Sequence, residues 1–188
     1  MKQKNKTLNT LLVIFLVTTI AYSQDYKNVN WQLFSHEKVN TIYVSKTDNF
    51  KIKNLKFEIV WDKQLSHSEN IGFYGGIQTL TIYKNNKKLQ SLNNIEDGIA
   101  LGTIPFDFYD YNLDGYLDFS IPINERWGQY YIYNPKTNRY ENRKDWSYLR
   151  IQKIDKIKKL ILSQPDGNAF EDNRKIYQIR GIELIEMK

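Results

Sequence analysis

Beyond Asn28 the apolar positions come in short runs broken by Asn, Asp, Gly and Lys, the pattern of many short strands and tight turns. Strands are predicted at 31–34, 41–44 and Leu55–Trp61; in the last, Phe57, Ile59 and Trp61 alternate with Lys56, Glu58 and Val60, so one face is core and the other mostly wet. The polar stretch 64–70 reads as a surface loop, and Gly72, Gly75 and Gly76 punctuate the chain after it. Residues 77–83 and 88–92 form a hairpin across Asn85-Asn86, because Asn tolerates the left-handed backbone of a two-residue turn. Further strands are predicted at 117–121 and 129–133, with turn chemistry at 134–138 and a closing hairpin of 175–179 and 182–185 around Gly181.

One segment is ambiguous. Ile151, Ile154, Ile157 and Ile161 recur every three or four places, as on a helical face, yet 159–162 also suits a buried strand before Pro165-Asp166-Gly167. The expectation is a short helical or irregular turn followed by a strand. The fold class is therefore all-β, in a small domain of short antiparallel strands; turns at near-regular intervals suit a β-propeller-like domain or, alternatively, a β-sandwich.

The N-terminus changes the picture of compartment. Lys2, Lys4 and Lys6 precede an apolar run from Leu11 to Val17 that continues, with two threonines, to Ala21. That run is shorter than the roughly 20 residues that span a bilayer, and Ala21 and Ser23 are the small residues of a cleavage site. A signal peptide over 1–23 is predicted, with a single domain over 24–188 and a periplasmic or secreted protein. The chain has no cysteine, so neither disulfides nor thiolate metal sites contribute. Of the formal charge of +6, three lysines leave with the signal, which leaves about +3. The lysines at 84, 87 and 88 and at 153, 156, 158 and 159 are interleaved with apolar residues and make no basic stripe, so no nucleic-acid partner is expected.

Candidate chemistry is concentrated in residues 110–118, Asp-Tyr-Asn-Leu-Asp-Gly-Tyr-Leu-Asp. Oxygen-bearing side chains stand at the first, third, fifth and ninth places (Asp110, Asn112, Asp114, Asp118), Gly115 at the sixth, and the carbonyl of Tyr116 at the seventh. This spacing wraps a short loop around one hard cation, since Ca²⁺ takes about six to eight oxygens. The competing reading is a bare hairpin, for which Asp114-Gly115 is already a strong turn signal. A bare hairpin leaves Asp110, Asn112 and Asp118 unexplained, with three carboxylates brought together and their pKa values raised unless a cation or donors neutralise them. The twelfth place is Ile121, without the bidentate Glu of an EF-hand, and a strand follows. Remaining ligands come from water, a carbonyl, or a nearby acid such as Asp107 or Glu125, and the role expected of the ion is structural.

The loop, followed by Tyr-Ile-Tyr-Asn-Pro-Lys-Thr-Asn-Arg-Tyr-Glu at 131–141 and preceded by Ile77-Gln78-Thr79-Leu80, resembles a family of bacterial periplasmic β-propeller-like proteins with one calcium loop. It is also similar to the calcium loops of integrin-type FG-GAP repeats. The resemblance runs from about Ile77 to the C-terminus. It implies calcium ligands at Asp110, Asn112, Asp114, Tyr116 and Asp118, and, since one branch of that family comprises immunity proteins against lysozyme-like effectors of type IV secretion systems, an inhibitor function. No inhibitory residue carries over.

Enzyme chemistry has little material. The two histidines, His36 and His67, lie in polar stretches; Asp166 and Glu171 are a carboxylate pair that nothing fixes in a cleft; and no phosphate-cradling glycine motif occurs. Of Trp31, Trp61, Trp127 and Trp146, most belong to the core, and Trp127 beside Arg126 is the candidate partner contact. The expectation is a monomeric, non-enzymatic, calcium-binding domain that binds a protein, with a lysozyme-like hydrolase the sharpest candidate. An envelope glycan-binding or adhesion module is the alternative, and a glycan hydrolase a more distant one.

Overall fold

The computed structural model describes residues 29–45, 49–62, 66–69, 72–74, 76–93, 95, 103–123, 128–164 and 174–187. Residues from Gln32 onward make one compact unit. Residues 1–23, where a signal peptide is expected, lie outside the described residues. Among those that are described, no helix is long and apolar enough to cross a membrane.

Among the described residues every sheet is antiparallel, and each of the three larger ones is built on an up-and-down meander. The first meander joins β3 (Asn49–Ile52), β4 (Leu55–Trp61), β7 (Ile77–Lys84) and β8 (Lys87–Asn93). The second joins β9 (Ile104–Tyr109), β10 (Asp118–Pro122), β11 (Gly128–Asn134) and β12 (Arg139–Asn142), with β2 (Asn40–Val44) added beside β9. The third joins β13 (Ile151–Asp155), β14 (Leu160–Ser163), β15 (Lys175–Arg180) and β16 (Glu183–Met187), with β1 (Gln32–Leu33) beside β13. A two-stranded ladder of β5 (Ser66–Ser68) and β6 (Gly72–Tyr74) stands between β4 and β7 in the chain. None of these sheets is closed among the described residues.

Alternation places the layers. On β4, Leu55, Phe57 and Ile59 are buried while Val60 is exposed, and on β7 Leu80 and Ile82 join them. The opposite face of this sheet is wet and polar, with Thr79 bonded to Asn93 and Thr81 to Ser91 across the ladder. The middle sheet is covered on both faces. On β10, Phe119 and Ile121 join Phe57, Phe106, Phe108 and Tyr131 in one core, whereas Ile132 and Tyr111 belong to a second core with Trp146 and with Ile154, Ile161 and Ile179 of the third sheet. Asp118, Phe119, Ser120 and Ile121 are consequently all buried in one run. Aromatic rings carry the first core: Phe57 stacks on Phe50 at 4.8 Å and meets Phe108 and Phe119 edge-on at 5.4 and 5.5 Å.

The turns obey local chemistry. Asn85 and Asn86 both take positive φ, 52° and 62°, between β7 and β8, and Gly181, at φ 63°, turns β15 into β16. One expectation fails and another holds in part. Residues 64–70 are not simply a loop, since Ser66–Ser68 pairs with Gly72–Tyr74 through the backbone. The buried strand expected over 159–162 is β14, but the residues before it are a strand where a turn was expected: a short 3-10 turn, Lys144–Trp146, precedes two strands in which Ile154 lies directly opposite Ile161, and Ile157 is exposed at their turn. A hairpin folded about 157–158 brings to one face residues that a helix would also have aligned.

Phe57, with no exposed surface and four aromatic neighbours, is the test of the first core. Phe57→Ala is expected to cost about 3–5 kcal/mol in urea unfolding, against about 0.5 kcal/mol or less for Val60→Ala on the same strand's exposed face. Equal losses would contradict the layer assignment.

Candidate metal centre

The loop 110–118 joins β9 to β10 at the end of the middle sheet. Its backbone turns at Leu113, φ 57°, and at Gly115, φ 91°; the second of these is a conformation that any side chain would strain. The acidic side chains shape the turn. Asp110 accepts the Asp114 N–H through Oδ1 at 2.9 Å and the Gly115 N–H through Oδ2 at 2.8 Å. Asp114 accepts the Tyr116 N–H through Oδ1 at 2.9 Å. Asp118, wholly buried, accepts the Tyr111 N–H through Oδ2 at 2.8 Å and the Tyr133 N–H through Oδ1 at 2.8 Å, with a longer contact from the Asn112 N–H at 3.4 Å.

Asn112 is the informative residue. It is 1 % exposed, and its Nδ2 donates to Asp114 Oδ2 at 2.9 Å and to the Gly181 carbonyl at 3.1 Å. Two acceptors therefore fix the orientation of the amide, since rotating it would set an oxygen against a carboxylate and a carbonyl. The other end, Oδ1, is buried and has no hydrogen-bond partner. An unpaired buried carbonyl costs about 1–3 kcal/mol. It belongs to a loop whose three carboxylates are compensated only by N–H donors, with no cationic side chain paired to them among the described residues. Burial pushes the Asp118 carboxyl well above its ordinary value; the charges of Asp114 and Asp110 push the same way, and the N–H donors of Tyr133 and Tyr111 oppose them. Burial also raises Asp110, against the N–H groups of Gly115 and Asp114.

Among the described residues, no group of three Asp, Glu, His or Cys side chains could hold a metal by itself. Asp118 has both carboxylate oxygens turned to backbone donors. The donor set of this loop includes groups outside those four types, namely the orphaned Asn112 Oδ1 and backbone carbonyls, and each carboxylate oxygen has a second lone pair to offer. Such all-oxygen sets suit a hard cation. Asp107 does not approach as a further ligand: it accepts the Thr41 hydroxyl at 2.6 Å and lines a separate cavity with Glu37, Tyr111, Ser120 and Tyr130. Glu125, together with Arg126 and Trp127, lies outside the described residues, as do Asp166 and Glu171.

Three contacts escaped sequence reasoning. Lys159, in the β13–β14 turn, donates through Nζ to the Leu113 carbonyl at 3.0 Å; Gly181 holds Asn112; and the Tyr140 hydroxyl donates to the Leu117 carbonyl at 3.0 Å. All three join residues far apart in the chain. Only Gly181 carried any signal, as a turn glycine.

No family model, curated protein or solved structure matches this chain.

The raised carboxyls give a signed pH dependence. A carboxyl whose folded pKa lies above its unfolded value of about 4 is protonated more readily in the folded state, so metal-free protein gains stability from this loop as pH falls through the raised value toward 4. In calcium-depleted buffer the melting temperature of the native chain, relative to that of Asp118→Asn, is expected to rise between pH 7.5 and pH 5.5, and excess calcium is expected to abolish the difference. A relative fall on acidification in metal-free buffer would contradict the assignment.

Proposed function

We propose that this protein is an exported β-domain that carries one structural Ca²⁺ in the 110–118 loop and acts by binding a protein partner, not by catalysis, with a lysozyme-like cell-wall hydrolase as the partner it inhibits. The observation that carries the metal is the buried, partnerless Asn112 Oδ1 in a loop of acids. Asp110, Asn112, Asp114 and Asp118, with the carbonyl of Tyr116, hold the ion. The ion neutralises the clustered carboxylates and compensates the orphaned amide oxygen, and so fixes the loop against its neighbours. The departure from an EF-hand suits the affinities of about 10⁻⁴ to 10⁻³ M found in extracellular modules, which a calcium-replete exterior fills.

The stacked up-and-down meanders support a propeller-like architecture, in which each meander is one blade. The resemblance of the loop and of 131–141 to periplasmic β-propeller-like proteins, one branch of which comprises immunity proteins, supports the inhibitor role, with the chain working as a monomer.

Calcium at about a hundredfold over Kd adds about 2.7 kcal/mol to stability, which for a domain of this size raises Tm by about 5–10 °C. Chelation is expected to remove that increment from the native chain and to leave Asp114→Ala unchanged; identical melting with and without chelator would sink the site. For the partner, pull-down and turnover assays with lysozyme-type muramidases at micromolar protein are expected to show capture and inhibition. Capture of peptidoglycan fragments without any muramidase would favour a glycan-binding module, and muropeptide release by the protein alone a hydrolase.

A further inference from the structure

Beside the loop, on the side of the first sheet, lies a cavity of about 280 Å³ lined by Lys53, Asn54, Lys84, Tyr116, Tyr133 and Tyr140 among others. Its floor is a half-buried lysine. Lys84 Nζ donates to the Tyr133 hydroxyl at 3.1 Å and lies over two rings, 4.6 Å from the centroid of Tyr133 and 5.9 Å from that of Tyr116. Among the described residues neither Lys84 nor Lys53 pairs with a carboxylate, although elsewhere on this surface Lys56, Lys156 and Lys175 each do. Among the described residues no acidic side chain lines the cavity. At the rim Tyr116 is 44 % exposed, its ring 5.1 Å from that of Tyr133.

Two ammonium groups without counter-charge among the described residues, set in a concave aromatic site, select an anion. We propose that this cleft is the partner-binding site of the domain and receives the carboxylate of an Asp or Glu side chain on an acidic segment of a partner protein. The proposal rests on the protein-binding reading above and deepens it. A carboxylate is an acceptor-only group and matches a lining whose charged groups only donate. A sugar ring would bring several hydroxyls that need acceptors, and the lining side chains supply no carboxylate to receive them. The hydroxyl protons of Tyr133 and Tyr140 are already committed, to Asn138 and to the Leu117 carbonyl. Desolvation by the rings strengthens the pairing over that of a surface lysine. The rim also belongs to the metal loop, because the Tyr116 N–H is held by Asp114 Oδ1, so the ion that fixes the loop fixes one wall of the cleft.

The test is an NMR titration of the calcium-loaded protein with a hexaglutamate peptide, read at Tyr116, Tyr133 and Lys84. Hexaglutamine, trigalacturonate and inorganic phosphate are the comparison ligands. The second protein is Lys53→Asn/Lys84→Met, in which Asn suits the positive φ of 51° at position 53 and Met keeps the packing of the Lys84 stem. The expected result is saturable shifts confined to the cleft with hexaglutamate, weakened about tenfold or more in the double variant, whose calcium-dependent melting shift stays native. Absence of saturable shifts, equal affinity in the double variant, or trigalacturonate or phosphate binding as tightly as the peptide would overturn the proposal. A muramidase that binds native protein and the folded double variant alike overturns the cleft while sparing the protein-binding reading. Lys53→Asn alone, an exposed change, serves if the double variant fails to fold.

Discussion

The side-chain amide of Asn112 is the constraint on which the loop end of the molecule depends. Its nitrogen is shared between the loop's own Asp114 and the Gly181 carbonyl of the third sheet, and that sharing leaves its buried oxygen without a partner. A neutral hairpin has no use for such an oxygen. Around it the three meanders meet: Tyr111 enters the core shared with the third sheet, Lys159 caps Leu113, Tyr133 and Tyr140 of the middle sheet hold Asp118 and Leu117, and Lys84 of the first sheet reaches over Tyr116. The loop is thus a joint between layers as well as a turn between two strands.

This placement changes the role of each acid. Asp110 and Asp114 fold the turn through its own N–H groups, whereas Asp118 begins β10 and ties β11 and the loop backbone from below. The cation proposed here would add to a turn that is already shaped, which suits a structural ion better than a sensor that reorganises on binding. The same economy appears across the edges of the first and middle sheets, where Gln90 accepts the Tyr140 N–H at 2.8 Å and donates to its carbonyl at 2.9 Å, as a strand would.

Much of this could be read from residue patterns, and the exceptions have physical causes. The alternation over Leu55–Trp61 and the Asn85-Asn86 turn are set by neighbours in the chain, so the residues themselves declared them. The β13–β14 hairpin carried no Gly or Asn at its bend. Asp155, buried, makes the turn by accepting the N–H groups of Ile157 and Lys158, both at 2.9 Å, and Lys159 takes the left-handed position at φ 53°. Side-chain capping by one Asp within a lysine-rich stretch resembles a solvated face, and the isoleucines around it mimic a helical period. At the loop, spacing revealed the oxygen donors but not their partners. That Asp118 is engaged by backbone donors, and that Asn112 is clamped from the third sheet, are long-range facts that no local pattern encodes. The cleft over Lys84 was equally hidden, because Lys53, Lys84, Tyr116 and Tyr133 come from separate turns and strands.

The central claim, that the 110–118 loop holds a cation which locks the three sheets together at one end, is tested most directly by amide hydrogen exchange with and without calcium. Binding is predicted to slow exchange in the loop and, together with it, at the β13–β14 and β15–β16 turns that carry Lys159 and Gly181, with Asn112→Ala losing the protection at the distant turns. Unchanged exchange throughout, or protection confined to residues 110–118, would contradict the account.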